Sequence, residues 1–140
     1  MPVSQDGSPP RQPTAAGELN AALARGAVRI ARSVVGRGPA KAHAFFHDNV
    51  FVVLLEDTQT RAEKSLVEDG QGDTVLELRR GLQQTMRGPL VLLVERLTGG
   101  TVTAMMSASH VAPDLDIEVF VLDRPVSGRL PDAPQLPATD

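Results

Sequence analysis

Residues 40–56 of this 140-residue chain decide the fold, and they read Ala-Lys-Ala-His-Ala-Phe-Phe-His-Asp-Asn-Val-Phe-Val-Val-Leu-Leu-Glu. Residues 40–47 set Lys, His and Phe at alternate positions against Ala and Phe, which is the two-residue period of a strand. Asp48-Asn49 predicts a tight turn, because both residues tolerate left-handed backbone angles. Residues 50–56 then place apolar side chains on both faces, as is typical of a strand in the interior of a sheet.

A helix is predicted before this hairpin, from about Ala15 to Val35. Apolar residues recur there at three- and four-residue steps and form one stripe along the segment. Thr14 is the predicted N-cap, and Gly36 ends the helix as a C-terminal glycine.

Two more helices are predicted after the hairpin. Residues 60–63, Thr-Arg-Ala-Glu, match a capping box, which predicts a short helix from Arg61 to about Glu68. A long helix is expected from Gly72 or Asp73 to the Gly-Gly pair at 99–100, with a kink at Pro89. Its predicted apolar stripe consists of Val75, Leu78, Leu82, Met86, Leu90, Leu93 and Leu97.

The last two predicted strands are Thr101–His110 and Leu115–Leu122, joined by a turn at 112–114. The element order predicts an α+β fold of helix, two strands, two helices and two strands, in which helices pack on a four-stranded, mainly antiparallel sheet. The second face of this sheet stays apolar, so either helices cover both faces or a second copy of the chain covers one. We favour a homodimer on this ground.

The two ends of the chain differ in composition from its middle. Residues 1–13 and 125–140 each hold four of the eleven prolines, among Ser, Gln, Gly and Asp. Both are expected to be disordered tails, because they carry too little apolar surface to offset the entropy of ordering. A single domain over residues 14–124 is therefore predicted.

Composition narrows the possible functions. The net charge is −3 and the chain has no Trp or Tyr, which argues against a nucleic-acid partner. The absence of Cys excludes disulfides and thiolate chemistry. The polar N-terminus lacks the apolar core of a secretory signal, and no apolar run reaches the length of a membrane span. We therefore expect a cytoplasmic protein without membrane insertion.

The histidines do not predict a metal site. His43 and His47 lie four residues apart on a predicted strand, about 13 Å, which is too far for two ligands of one ion. His110 lies near Ser107 and Asp114, where a Ser–His–Asp relay or a turn-stabilising cluster are the alternatives. We favour the turn cluster, and no catalytic residue, metal or cofactor is predicted.

Arginines are the candidate contacts for an anionic ligand. Gly-Arg-Gly-Pro at 36–39 is either a helix cap with a rigid exit, which we favour, or a turn that projects Arg37 toward an anion. The long helix carries Arg79, Arg80, Arg87 and Arg96, and two of these, Arg80 and Arg87, are one heptad apart and share a face. Such residues either attract an acidic ligand or form a solvated face. Asp114, Asp116 and Glu118 alternate along a strand and predict an acidic edge.

Four short motifs occur in an order that resembles a known bacterial family. They are Gly-Arg-Gly-Pro at 36–39, Thr-Arg-Ala-Glu-Lys at 60–64, Met-Arg-Gly-Pro at 86–89 and His-Val-Ala-Pro-Asp at 110–114. Their order and spacing resemble the MpsC-like family, the C component of a Na⁺-translocating, membrane-potential-generating system. Arg61 stands where this family usually has proline, a position that accepts proline without requiring it.

The resemblance implies a role beside a membrane transport complex, with protein partners. It transfers no catalytic residues, because none is established for the family. The leading hypothesis is a non-enzymatic cytoplasmic accessory or interaction module that forms a homodimer. The alternative is a sensor or enzyme for a small anionic ligand, bound in the region of Arg37, Arg87 and His110.

Overall fold

Three helices and four strands make up the computed structural model, which describes residues 14–127. The predicted order of helix, two strands, two helices and two strands is confirmed. The elements are α1 Ala15–Val35, β1 Lys41–His47, β2 Val50–Glu56, α2 Arg61–Glu68, α3 Gly72–Thr98, β3 Val102–His110 and β4 Leu115–Leu122.

Local hydrogen bonds explain why the helices begin and end where they do. The Thr14 side chain accepts from Gly17 N at the start of α1, and Gly36 ends that helix with φ 95°. At the start of α2 the capping box is complete, since Thr60 Oγ1 accepts from Glu63 N while Glu63 Oε1 accepts from Thr60 N. Each of these contacts satisfies a backbone group that the helix leaves unpaired.

The strands form one antiparallel sheet in the order β1-β2-β4-β3. The β1–β2 turn places Asp48 at φ 52°, as expected for a tight hairpin turn. The apolar strand β2 therefore lies in the interior of the sheet, paired with β1 on one side and β4 on the other. The predicted fold class is confirmed.

Both α1 and α3 pack on the same face of the sheet, which we call the inner face. The core between them is built from buried apolar residues of α1, α3 and the sheet, among them Leu19, Leu23, Phe51, Val53, Met86, Leu90, Phe120 and Leu122. The two helices approach closely at Gly26, where a Cβ atom would come within 2.5 Å of Leu93 Cδ2. A larger residue at position 26 would push α1 and α3 apart.

The predicted apolar stripe of α3 is partly wrong. Leu78 is 48% exposed, and Leu82 is only half-buried and lies outside the core. The buried face of the helix instead carries Arg79 and Gln83 beside the expected Val75, Met86 and Leu90. The buried positions differ from the predicted stripe because carboxylates on the inner face of the sheet lie opposite this half of the helix. Polar side chains of α3 bind to these carboxylates. The helix runs without interruption through Pro89.

The ordered core extends past the predicted domain boundary at Arg124. Val126 is 9% exposed, belongs to the hydrophobic core, and its N–H donates to Asp48 O at 2.7 Å. Val126 therefore packs against the core and is bonded to the β1–β2 turn. The rest of the two predicted tails, residues 1–13 and 128–140, lies outside the described residues.

Within residues 14–127, none of the helices combines the length and the apolar character that crossing a bilayer requires.

Candidate functional site

Three of the four sequence motifs meet at one end of the sheet. We call this the loop end; it consists of residues 36–40, 57–60 and 111–114, where β1 and β4 begin and β2 and β3 end. Arg37 Nη1 donates to Gln59 O at 2.5 Å, and Arg37 Nη2 lies 3.5 Å from Asp57 Oδ2. Asp114 accepts from Thr58 Oγ1 and from Gln59 N, both at 2.8 Å. Side-chain hydrogen bonds thus join the three loops to one another.

The charges at the loop end largely neutralise one another. Asp57 lies between Arg37 and Lys64, whose Nζ is 3.2 Å from Asp57 Oδ1. Hydrogen bonds from these two cations lower the pKa of the Asp57 carboxyl. An open cleft of about 500 Å³ lies beside them, and Lys41 and Asp114 are among its lining residues. Because cations and carboxylates alternate in its wall, this cleft has no single sign of charge to attract an ion.

Arg79 is the buried centre of a polar network under the loop end. Its guanidinium binds both oxygens of Glu63 at 2.6 Å, Asp116 Oδ2 at 3.0 Å and Thr58 O at 2.7 Å. Arg79, Glu63 and Asp116 are each at most 2% exposed. The planar fork of arginine suits such a bidentate contact, and it ties α3, α2 and β4 to the loop that carries Thr58.

Burial and pairing act in opposite directions on these groups. Burial acts to lower the pKa of Arg79, but the hydrogen bonds of Glu63 and the charge of Asp116 outweigh it, so this pKa is raised. Burial raises the pKa of Asp116 despite the nearby guanidinium. The network therefore holds one cation against two carboxylates, and its geometry fixes the loop end.

Glu118 is a second buried carboxyl, two residues along β4 from Asp116. It is fully buried, accepts from Ser107 Oγ, and lies 3.5 Å from Gln83 Nε2. Burial raises the pKa of Glu118 to about 7, and the charge of Asp116 adds to this effect. Glu118 can therefore gain or lose a proton near neutral pH.

A polar cleft lies on the solvent side of Glu118. We call it the α3–β3 cleft; it has a volume of about 170 Å³ and is lined by Arg80, Gln83, Gln84, Arg87 and Ser107. Gln83 and Ser107 form its floor, because both also contact the buried Glu118. Arg87 Nη1 donates to Met105 O at 3.1 Å, which holds the side chain against β3.

The sequence model of one protein family matches residues 15–124, almost the whole of the described structure. Its description is Na⁺-translocating membrane potential-generating system (MpsC). The chain belongs to the MpsC family. The resemblance found in the four motifs is thereby confirmed. No curated protein and no solved structure matches the chain.

The predicted ligand residues of this MpsC-family chain lie in two different places. Arg37 and His110 both lie at or beside the loop end, where His110 Nδ1 donates to Pro113 O at 2.8 Å. Arg87 instead contacts Met105, five residues before His110 on β3. The structure therefore groups Arg87 with Arg80 in the α3–β3 cleft and not with Arg37.

The three histidines are each engaged in a local contact. His43 Nε2 lies 3.1 Å from Glu56 Oε2 on the neighbouring strand, and His47 Nε2 lies 3.3 Å from Asp48 Oδ2. Within residues 14–127 no three His, Asp or Glu side chains come together as metal ligands would.

The buried polar residues were misread from the sequence. Asp116 and Glu118 belong to the predicted acidic edge, and Arg79 to the arginines predicted either to attract an acidic ligand or to form a solvated face, but all three are buried. The sequence does contain a signal for their burial. Asp116 and Glu118 lie at alternate positions from the buried Phe120 and so share its face of the strand. Arg79 precedes Met86 by seven residues and so shares its face of the helix. The polarity of these residues suggests the solvent-exposed face, whereas their periodicity places them on the buried face.

Proposed function

We propose that this MpsC-family protein is a non-enzymatic cytoplasmic accessory module of a Na⁺-translocating, membrane-potential-generating system, and that it works as a homodimer. The family supports the association with the membrane system. We propose a dimer because one apolar face of the sheet is not covered by a described helix. Among residues 14–127, α1 and α3 both pack on the inner face, and no helix packs on the opposite face.

The opposite face, which we call the outer face, is apolar through its middle. Its outward positions on β4 are Leu115, Ile117, Val119 and Val121. A solvated antiparallel strand would carry polar side chains at such positions. Across the sheet, Phe45, Val52, Val119 and Met106 form one cross-strand row. Phe45 is 54% exposed and Met106 56%, so large apolar side chains at both edges of the sheet meet water.

The charged and imidazole side chains of the outer face lie at its margin. Lys41, His43 and His47 belong to the edge strand β1, Glu56 ends β2 and His110 ends β3. Two such faces can therefore stack without opposing like charges at the centre. Four strands about 4.8 Å apart, with seven residues rising about 3.4 Å each, cover roughly 450 Å² per copy. That area lies below the usual range of specific interfaces, so we expect a dimer that dissociates at roughly micromolar concentration.

Met106→Glu is expected to abolish this dimer. A carboxylate in the middle of the β3 edge of the outer face would have to be buried without a partner, which opposes association. Sedimentation velocity over a concentration series measures the effect. The matched control is Leu92→Glu, since Leu92 is 51% exposed but lies on α3. We expect the wild type and Leu92→Glu to dimerise alike and Met106→Glu to stay monomeric; a wild type that is monomeric throughout the series contradicts the dimer.

The association with the membrane system is tested separately. The tagged full-length chain, co-expressed with the membrane components of such a system, is expected to copurify with them after mild detergent extraction. Recovery of the chain without those components would contradict the accessory role, whatever the oligomeric state.

A further inference from the structure

The α3–β3 cleft combines cationic and neutral hydrogen-bond donors on a single wall. Arg80, Gln83, Gln84 and Arg87 follow the i, i+3, i+4, i+7 spacing of one helix face, and Ser107 closes the cleft from β3. Two guanidinium groups, two amides and a hydroxyl therefore converge on about 170 Å³ of space. No apolar side chain is part of this lining.

The two cations of the cleft are not neutralised by a carboxylate of the described residues, unlike the arginines of the loop end and the buried network. Arg37, Arg79 and Arg124 each pair with a carboxylate. In the described part of the chain, Arg87 binds the Met105 carbonyl, and neither Arg80 nor Arg87 forms an ion pair. Most of their N–H donors are thus available to a ligand, and the fork of each guanidinium matches the oxygens of a phosphate or a carboxylate.

We propose that the α3–β3 cleft binds a small free oxyanion of the phosphate class between Arg80 and Arg87, with Gln84 and Ser107 as further contacts. The volume of the cleft admits such an ion but leaves no room for a nucleotide. The site shares Arg87 with the ligand region predicted from the sequence, and it replaces Arg37 and His110 with Arg80 and Ser107. It does not depend on the dimer, because it lies on the inner side of β3.

The protonation state of Glu118 affects how tightly this site binds an anion. When Glu118 is ionised, the Ser107 hydroxyl donates to it and offers the cleft only its lone pairs. When Glu118 is protonated it can donate to Ser107 instead, which frees the Ser107 proton for the anion. Protonation also removes a negative charge from behind the ligand. Both changes favour binding of an oxyanion at lower pH.

Among the described residues, the neighbours of Glu118 on β2, β3 and α3 include no other carboxyl group. From β2 the neighbour is Val53, and from β3 it is Ser107. From α3, Gln83 contacts it, with the cations Arg80 and Arg87 beyond in the cleft wall. Burial and, to a smaller extent, the charge of Asp116 on the same strand raise the pKa of Glu118 to about 7.

Isothermal titration with sodium sulfate, at ionic strength held constant with chloride, tests the site. Sulfate is the probe because it stays doubly charged across the pH range used. Arg80→Met and Arg87→Met are each expected to weaken sulfate binding about tenfold or more, since each removes charge-assisted hydrogen bonds. Arg96→Met is the control, because Arg96 is exposed on the same helix and lies outside the cleft.

The pH dependence gives a second readout. For the wild type, the Kd for sulfate should rise about tenfold from pH 6 to pH 8, as a site that requires one proton with a pKa of about 7 dictates. Glu118→Gln should remove this dependence and keep tight binding at pH 8. Absence of saturable sulfate binding, equal binding by the Arg87→Met variant, or binding of adenosine diphosphate without sulfate would overturn the proposal.

Discussion

Replacing Arg79 with methionine is expected to lower the free energy of unfolding by about 3–5 kcal/mol. Glu63 and Asp116 lose their cation in this variant, and both are at most 2% exposed. Thr58 O loses its donor as well. Two buried carboxylates without a partner are costly because the protein interior does not solvate their charge. A small domain has about 5–15 kcal/mol of stability in total, so this variant should be close to unfolding.

Urea unfolding followed by circular dichroism measures this loss. Arg80→Met is the matched control, because Arg80 is the next residue on α3 but is exposed. It should change the free energy of unfolding by less than about 0.5 kcal/mol. Adding Glu63→Gln and Asp116→Asn to Arg79→Met should recover part of the loss, since the uncompensated charges are then gone. Equal urea midpoints for Arg79→Met and Arg80→Met would contradict the role of the network.

Glu118→Gln is expected to stabilise the protein by about 3 kcal/mol at pH 8 and by almost nothing at pH 4. The reason is that the pKa of Glu118 is raised in the folded protein from 4.5 to about 7. Below pH 4.5 the carboxyl is protonated in both the folded and the unfolded chain, so it has no effect on the balance. Between pH 4.5 and 7 the unfolded chain releases this proton while the folded chain keeps it, and stability falls. Above pH 7 the full cost of the buried charge is present.

Free energies of unfolding, measured at a series of pH values, test whether Glu118 lowers stability as the pH rises. The difference between Glu118→Gln and the wild type should grow from pH 4.5 to pH 7 and then level off. Glu77→Gln is the control, because Glu77 is an exposed glutamate on α3 and its curve should run parallel to the wild type. A Glu118→Gln curve that also ran parallel would show that Glu118 titrates in the folded protein as it does in the unfolded chain.

The boundaries of most elements could be predicted because their signals are local. Thr14, Gly36 and the Thr60–Glu63 capping box determine where helices begin and end through contacts within four residues. The two-residue alternation of β4 and the apolar run of β2 likewise depend on adjacent residues alone. These predictions agreed with the structure to within one residue at the strand ends.

The candidate site could be predicted only in part. The heptad relation of Arg87 to Arg80 predicts that the two share a helix face, and both line the α3–β3 cleft. Arg87 is grouped with Arg37 and His110 in the sequence analysis because all three belong to the family motifs. The order of motifs along the chain gives no information on the distance between them. The buried network was missed because Arg79 and Glu63 lie sixteen residues apart, and Asp116 lies a further 37 residues beyond Arg79.

The sequence by itself determined the elements, their order and the family, because caps, turns and periodicity act between neighbouring residues. Only the tertiary structure decided the strand order β1-β2-β4-β3, the placement of α1 and α3 on one face, and the burial of Arg79 with its two carboxylates. These features depend on pairings between residues far apart in the chain. Periodicity agrees with a buried Arg79, but only these long-range pairings supply the carboxylates that make its burial possible.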